Sequence, residues 1–264
     1  LDLMTLYDSA DPAAMSQVKG WGAETFYARF TQRLVAALSA PTGEGDLYKV
    51  DLQLRPSGTS GPVAVAMGAF RPYYEGEAET WEILALTRAR VVWASSEAFA
   101  IRAGEAIEQA LRRPRDALAT AKAVREMRQL MARERPAKGF WDLKLSPGGL
   151  VDVEFTAQYL QIVHAAAGGP LMANTGEALV ALRQAGLAPD PQIRALETAW
   201  RLQQDLSQLI KVALENAFDV EDEPQPFRQM LARAAGARDF RSLQTRLRAA
   251  RAAARKAYER LVTA

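Results

Sequence analysis

The residues of this chain best suited to chemistry are two aspartates set among apolar neighbours. Asp2 interrupts the run LDLMTLY at residues 1–7, and a carboxylate inside an apolar strand is costly unless it is paired or holds a metal. Asp51 sits in YKVDLQLR, where Tyr48, Val50, Leu52 and Leu54 alternate with Lys49, Asp51, Gln53 and Arg55. A period of two marks a strand with one apolar and one polar face. Exposure to water alone would explain the polar face. Two acidic strands side by side, followed by Arg55-Pro56-Ser57-Gly58, also meet the needs of a magnesium–nucleotide site. Carboxylates hold the metal, while Arg55 and the turn at Ser57 and Gly58 receive phosphate oxygens.

Further candidates lie downstream. Arg88 and Arg90 can pair triphosphate oxygens bidentately or, equally, form a salt bridge with Glu82. Asp142, Lys144, Gly148-Gly149, Asp152 and Glu154 form a second cluster. A Gly-Gly pair opening a helix can bind an anion through free amides, or can be a plain turn in which Lys144 pairs with Asp152. His164 is the sole histidine and reads as a satisfied structural residue. The last helical stretch carries Arg241, Arg246, Arg248, Arg251, Arg255, Lys256 and Arg260 around an apolar line of Leu243, Leu247, Ala254, Tyr258 and Leu261. Its basic face is either solvated or a docking surface for an acidic partner.

Composition narrows the classes. The chain has 264 residues, 49% hydrophobic and 24% charged, which are values of an ordinary globular protein with one large domain or two smaller ones. There is no cysteine, hence no disulfide and no thiolate metal site, and a single histidine excludes a His-rich zinc or iron centre. Any metal must sit on oxygen ligands. Lys plus Arg is 33 against 31 Asp plus Glu, a balance that argues against a general nucleic-acid coat. No run of 18 uncharged apolar residues appears, and the opening residues lack a basic start and cleavage site, so neither a membrane span nor a secretory signal is expected. The expected compartment is the cytoplasm. The chain starts at Leu1 inside a strand-like run, which suggests a piece of something longer.

The elements that must position these residues change character along the chain. The pattern predicts strands at 1–7, 47–54 and 62–67, with helices at 21–40 and 79–92. Phe26, Phe30, Leu34, Ala37 and Leu38 form the buried stripe of the first helix. From about residue 95 strand signals vanish and helical stripes follow one another, including Val151, Phe155, Tyr159 and Ile162, then Ile193, Leu196, Trp200, Leu206 and Ile210. Phe155 and Tyr159 read as core. Stops at Pro114, Pro136, Gly148-Gly149, Gly168 to Pro170, Gly186 to Pro191, Pro224 to Pro226 and Gly236 leave short loops between helices, as in a bundle. The expected fold is α+β: a small mixed-sheet domain at 1–95, followed by an all-α helical bundle at 96–264.

LDLMTLYD, YKVDLQLRPSGTSGP, WEILALTRARVV and FWDLKLSPGGLVDVEFTAQYL, in that order, resemble the glutamine synthetase adenylyltransferases, members of the polymerase-β-like nucleotidyltransferases. The resemblance runs over essentially the whole chain. It implies that Asp2 is the second acid of an Asp-x-Asp pair whose first member would precede Leu1. It also implies that Asp51 is the third carboxylate, on the neighbouring strand. Gln53 stands where the family often has Arg, and Ile83 where His is common. The resemblance further implies an AMP transfer from ATP to a tyrosine of glutamine synthetase, Mg²⁺ as metal, and regulation through the PII signalling protein. Asp2 and Asp51 would hold metal, and Arg55, Ser57, Gly58, Arg88, Arg90, Lys144 and Asp152 would face the nucleotide. A single Asp…Arg-Pro-Ser-Gly set points to one half of a two-headed enzyme, and the Ala-Tyr-x-x-Leu-Val ending favours the C-terminal, adenylylating half. The rivals are the adenylyl-removing half, a non-catalytic docking module, and a related transferase that moves UMP or extends RNA.

Overall fold

A computed structural model describes the chain except residues 10, 12, 18, 47, 48, 215–219 and 264. It divides into two compact units, Leu1–Arg113 and Pro114–Ala264. Among the described residues no helix is long and apolar enough to cross a membrane.

The first unit contains β1 (Thr5–Tyr7), α1 (Ala23–Leu38), β2 (Pro41–Thr42), β3 (Gly45–Asp46), β4 (Ala64–Ala66), α2 (Met67–Gly76), α3 (Thr80–Leu86) and α4 (Glu97–Leu111). β1 pairs in parallel with β4, Thr5 opposite Ala64 and Tyr7 opposite Ala66. β2 and β3 form a separate antiparallel hairpin. Ala64, Val65, Met67, Phe70, Tyr74, Ile83, Leu84 and Leu86 build the core with the alanine face of α4, at Ala103, Ala106 and Ala110. Because α4 packs against α2 and α3, the first unit runs to Arg113 rather than ending near 95.

Three local expectations need correction. The strand expected at 47–54 survives only as a single parallel bridge at Asp51, with residues 47 and 48 outside the described ones. The Asp51 side chain accepts the Gln53 amide at 2.7 Å, turning the chain before Leu52 and Leu54 can extend a ladder. Helix α3 starts at a capping box between Glu79 and Glu82 but stops at Leu86, leaving Val92 and Trp93 as exposed apolar residues beyond it. In α1 the buried line is rotated from the expected stripe. Thr31 is enclosed and Tyr27 stacks on Tyr7 at 4.5 Å, while Phe26 and Phe30 stay exposed.

The second unit contains α5 (Ala117–Glu134), α6 (Leu150–His164), α7 (Thr175–Gln184), α8 (Asp190–Ala213), α9 (Gln225–Ala234) and α10 (Phe240–Leu261). α6 is the buried centre: Leu150, Val151, Val153, Ala157, Tyr159, Leu160 and Ile162 are all enclosed. α5, α7, α8 and α10 pack around it. Ile193, Leu196, Leu206 and Ile210 of α8 and Leu243, Leu247, Ala254 and Tyr258 of α10 line the shared core. Phe155, expected inside, is only half-buried. A mixed α/β unit followed by a helical bundle is the α+β architecture expected from the sequence.

Candidate active site

The site is built at the sheet of the first unit. Residues 1–3 and 49–51 run parallel, with the Leu1 amine donating to the Lys49 carbonyl at 2.7 Å, the Asp51 amide to Leu1 at 2.8 Å and the Leu3 amide to Asp51 at 2.9 Å. This register makes Asp2 and Asp51 direct cross-strand partners. Paired residues on neighbouring strands point to the same side and stand about 5 Å apart at the backbone. Both aspartates are exposed, so Asp2 does not carry the burial penalty its apolar setting suggests. Their oxygens are hard donors on one open face, which suits a magnesium ion completing its octahedron with water and phosphate. Among the described residues no group of three or more His, Asp or Glu side chains is arranged around a common point, and Asp2 and Asp51 are the two carboxylates that the strand register brings together.

The Arg-Pro-Ser-Gly turn is ordered from within. Arg55 is 7% exposed. Its guanidinium donates to the carbonyls of Leu52 at 2.6 Å, Pro62 at 3.0 Å and Gly61 at 3.2 Å. A phosphate contact expected of Arg55 is therefore corrected: its donors are occupied by the loop it folds. Gly61 closes the loop so tightly that any Cβ would lie 2.1 Å from the Pro56 carbonyl oxygen. The Gly58 amide donates to the Arg55 carbonyl at 2.8 Å, so that amide too is turned inward rather than toward phosphate. Ser57 has a φ of +61°, the sole non-glycine residue at positive φ among those described. The Tyr73 hydroxyl donates to the Glu82 carboxylate, 2.6 and 2.8 Å from its two oxygens. Burial, then the Glu82 carboxylate, raise the pKa of Tyr73, with Ser57 acting against them. Arg88 and Arg90 are exposed, in the turn and the irregular segment after α3.

The second cluster belongs to the other unit and proves structural. Asp152 is fully enclosed. It pairs with Arg128, accepts the Gly148 amide at 2.6 Å and meets Arg255 at 3.2 Å. Nucleotide binding by Asp152 is corrected accordingly, as is a Lys144–Asp152 pair. Lys144 is exposed and contributes its amide to the Asp142 carboxylate at 3.1 Å. Asp142 also accepts from the amides of Lys138 and Leu145, fixing the turn that enters α6. Arg251, buried on α10, reaches the carbonyls of Phe140 at 2.6 Å and Asp142 at 3.1 Å and the Gln203 side chain at 2.9 Å. Burial pulls its pKa down to about 10. Gln203 in turn donates to the Gly148 carbonyl at 3.0 Å. Gly148 must be glycine, since a Cβ there would lie 2.0 Å from the Arg251 carbonyl oxygen. The Gly-Gly turn is thus held by a buried polar network and presents no free anion cradle.

That network also draws in the basic face of α10. Arg251 is buried, Arg246 bonds to the Ala235 carbonyl, Arg248 stacks on Phe140 at 4.8 Å, and Arg255 pairs with Asp152 and Glu259. Arg241, Lys256 and Arg260 remain exposed. His164 is half-buried at the end of α6. Sequence reasoning missed Arg128, Gln203 and Tyr73, and it read Glu82 as an arginine partner where the structure has it accept from Tyr73 and the Glu79 amide. For Gln203 and Arg251 a signal existed, since each places a polar side chain at a core position of an apolar helical stripe.

Comparison with known proteins gives a consistent division. The family model for glutamate-ammonia ligase adenylyltransferase matches residues 1–106, and that for GlnD PII-uridylyltransferase matches residues 116–263. The bifunctional glutamine synthetase adenylyltransferase/adenylyl-removing enzyme of Caulobacter vibrioides is 67% identical over 262 residues, covering 99% of this chain and 27% of the relative. Enzymes of the same name from Bradyrhizobium sp. and Rhodopseudomonas palustris are 40% and 42% identical, again over 99% of this chain and 27% of theirs. The chain therefore spans about a quarter of the length of the relatives it matches. The two matches meet around the junction at Arg113 and Pro114. The GlnD PII-uridylyltransferase model covers more than half of the chain, which therefore belongs to the family that model describes, while its first 106 residues are similar to the glutamate-ammonia ligase adenylyltransferases.

Proposed function

We propose that the first unit transfers AMP from ATP to a tyrosine hydroxyl of glutamine synthetase, and that the chain is part of the C-terminal, adenylylating half of a bifunctional enzyme. The observation that carries the reading is the parallel rung joining Asp2 and Asp51 in the part of the chain that matches glutamate-ammonia ligase adenylyltransferases. Asp2 and Asp51 hold Mg²⁺, which when bound neutralises phosphate charge and orients the nucleotide. Asp51, whose second carboxylate oxygen lies beyond its bond to the Gln53 amide, also eases loss of the tyrosine proton. The tyrosine oxygen bonds to the α-phosphorus as the bond from that phosphorus to the β-bridging oxygen breaks. The products are adenylylated tyrosine, pyrophosphate and a proton. Positioning and charge neutralisation supply most of the acceleration, by analogy with phosphoryl transfer. Because Arg55 and the Gly58 amide are engaged within their loop, the triphosphate charge is met by Arg88 and Arg90, with the Ser57 hydroxyl at the turn. PII acts as the regulatory partner, and the reaction takes place in the cytoplasm.

The printed names of the relatives carry a second activity, so removal of AMP is the reading to set against transfer. Incubating the intact protein with α-labelled ATP, Mg²⁺ and glutamine synthetase separates them. Label arriving on a tyrosine, and lost when Asp2 or Asp51 is changed to Asn, supports transfer by this unit. Transfer that survives both changes, with phosphate-dependent release of label from pre-modified synthetase abolished instead, assigns the removing activity.

A further inference from the structure

We infer that Lys49 is a further substrate-binding residue of the transfer site, its ammonium meeting the triphosphate of ATP on the face that carries Asp2 and Asp51. The inference rests on the proposed reading of that carboxylate pair.

The backbone ladder places Lys49. The Leu1 amine donates to the Lys49 carbonyl at 2.7 Å, and the Leu1 carbonyl accepts the Asp51 amide at 2.8 Å. One residue bonded in this way to positions on either side of residue 50 is the pattern of parallel strands, so 49–51 is extended. Successive side chains of an extended segment point to opposite faces. Lys49 and Asp51 therefore share a face, and the rung from Asp51 to Asp2 brings Asp2 to it as well. Exposure follows the same alternation, with Lys49 and Asp51 exposed and Val50 half-buried between them. Positions two apart on a strand are about 7 Å apart, a separation that the flexible four-carbon stem of a lysine nearly spans.

The chemistry of that face selects an anion for Lys49. Among the described residues no ion pair joins its ammonium to either aspartate. A cation beside a pair of metal-binding carboxylates repels the metal unless an anion lies between them. A triphosphate supplies that anion, and it carries more negative charge than one divalent ion neutralises. Arg55, the nearest arginine in sequence, is turned into its own loop by the carbonyls of Leu52, Pro62 and Gly61. Lysine binds phosphate as a compact point charge and needs no fixed fork geometry.

The test uses the intact protein and two readouts: the KM for ATP in AMP transfer, and Mn²⁺ binding without nucleotide, followed by the electron spin resonance of free Mn²⁺. The difference between wild type and Asp51→Asn defines the Mn²⁺ site of this unit. Lys49→Met is expected to raise the KM for ATP about tenfold, the scale of one hydrogen bond to a charged group. Its kcat should stay within about twofold, and Mn²⁺ should bind this site as well as before or more tightly, since a like charge is gone. Lys49→Arg keeps the charge and should remain within about threefold of the wild-type KM. Added salt should raise the KM of the wild type more steeply than that of Lys49→Met. Because Lys49 is exposed, melting temperatures should agree within about a degree. An unchanged KM for ATP in Lys49→Met, while Asp51→Asn loses transfer, overturns the inference and leaves the carboxylate pair standing. A raised KM accompanied by weaker Mn²⁺ binding also overturns it, since Lys49 would then shape the strand rather than touch ATP. Wild-type transfer in Asp51→Asn removes the reading of the pair itself, and this inference with it.

Discussion

Asp51 in the first unit and Asp152 in the second are the same side chain in opposite settings. Asp51 is exposed, stands across one rung from a second exposed carboxylate, and receives one backbone amide. Asp152 is enclosed, touches two arginines and a backbone amide, and has no path to solvent. An open pair of like charges favours a bound cation, which removes their mutual repulsion. A sealed acid whose charge is already balanced has nothing to offer a ligand and holds helices together instead. Local sequence is a poor guide to this difference, since each aspartate sits between two apolar residues and close to a glycine-bearing turn. What separates them is burial and the number of cationic partners.

The comparison breaks most visibly at Asp2. Asp2→Asn is expected to lower AMP transfer by about three orders of magnitude, on the scale of removing one essential electrostatic group, while the melting temperature stays within about a degree because the side chain is exposed. Steady-state transfer and calorimetry check the two halves of that statement. The reverse is expected at Asp152. Asp152→Ala leaves Arg128 buried without its carboxylate and should cost about 3–5 kcal/mol of stability, measured by urea unfolding. Transfer per folded molecule should change little.

Arg55 lies between these extremes and sharpens the contrast. Arg55→Lys removes most of the donors to the carbonyls of Leu52, Gly61 and Pro62 and should destabilise the first unit by about 1–3 kcal/mol. The KM for ATP should rise far less than for a residue that touches the triphosphate. A large KM effect without a stability effect would return Arg55 to the phosphate. The smallest effect is expected at Asp239, which caps α10 by accepting the Ser242 amide at 2.7 Å. That bond, with help from Arg238, holds the Asp239 carboxyl below the ordinary aspartate range. A pKa lower in the folded state means stabilisation that is present above the unfolded value and lost as the pH falls through the folded one. Asp239→Ala should therefore melt a little lower than the wild type near neutral pH, with the gap closing below about pH 4.

Much of this was legible in the residues, for identifiable reasons. The apolar run at 1–7 and the helical stripes after Pro114 depend on local periodicity, which a sequence displays directly. The pairing of Asp2 with Asp51 was anticipated from the acid within the apolar run at 1–7, the alternation around Asp51 and the family resemblance that puts the two on neighbouring strands. The extent of the second strand was not, because a single Asx turn at Asp51 outweighs the alternation that follows it. The role of Asp152 was hidden by distance, since Arg128 lies 24 and Arg255 lies 103 residues away. Arg55 was misread because its acceptors are backbone carbonyls, which every residue carries and no sequence pattern marks. The boundary at Arg113 eluded composition because α4 is alanine-rich like the bundle, yet its alanines pack on α2 and α3.

The most direct measurement follows both activities of the intact protein carrying Asp51→Asn: AMP transfer from α-labelled ATP to glutamine synthetase, and phosphate-dependent removal of AMP from the modified synthetase. If the open carboxylate pair is the transfer site, transfer is lost and removal persists. Transfer at the wild-type rate would contradict it.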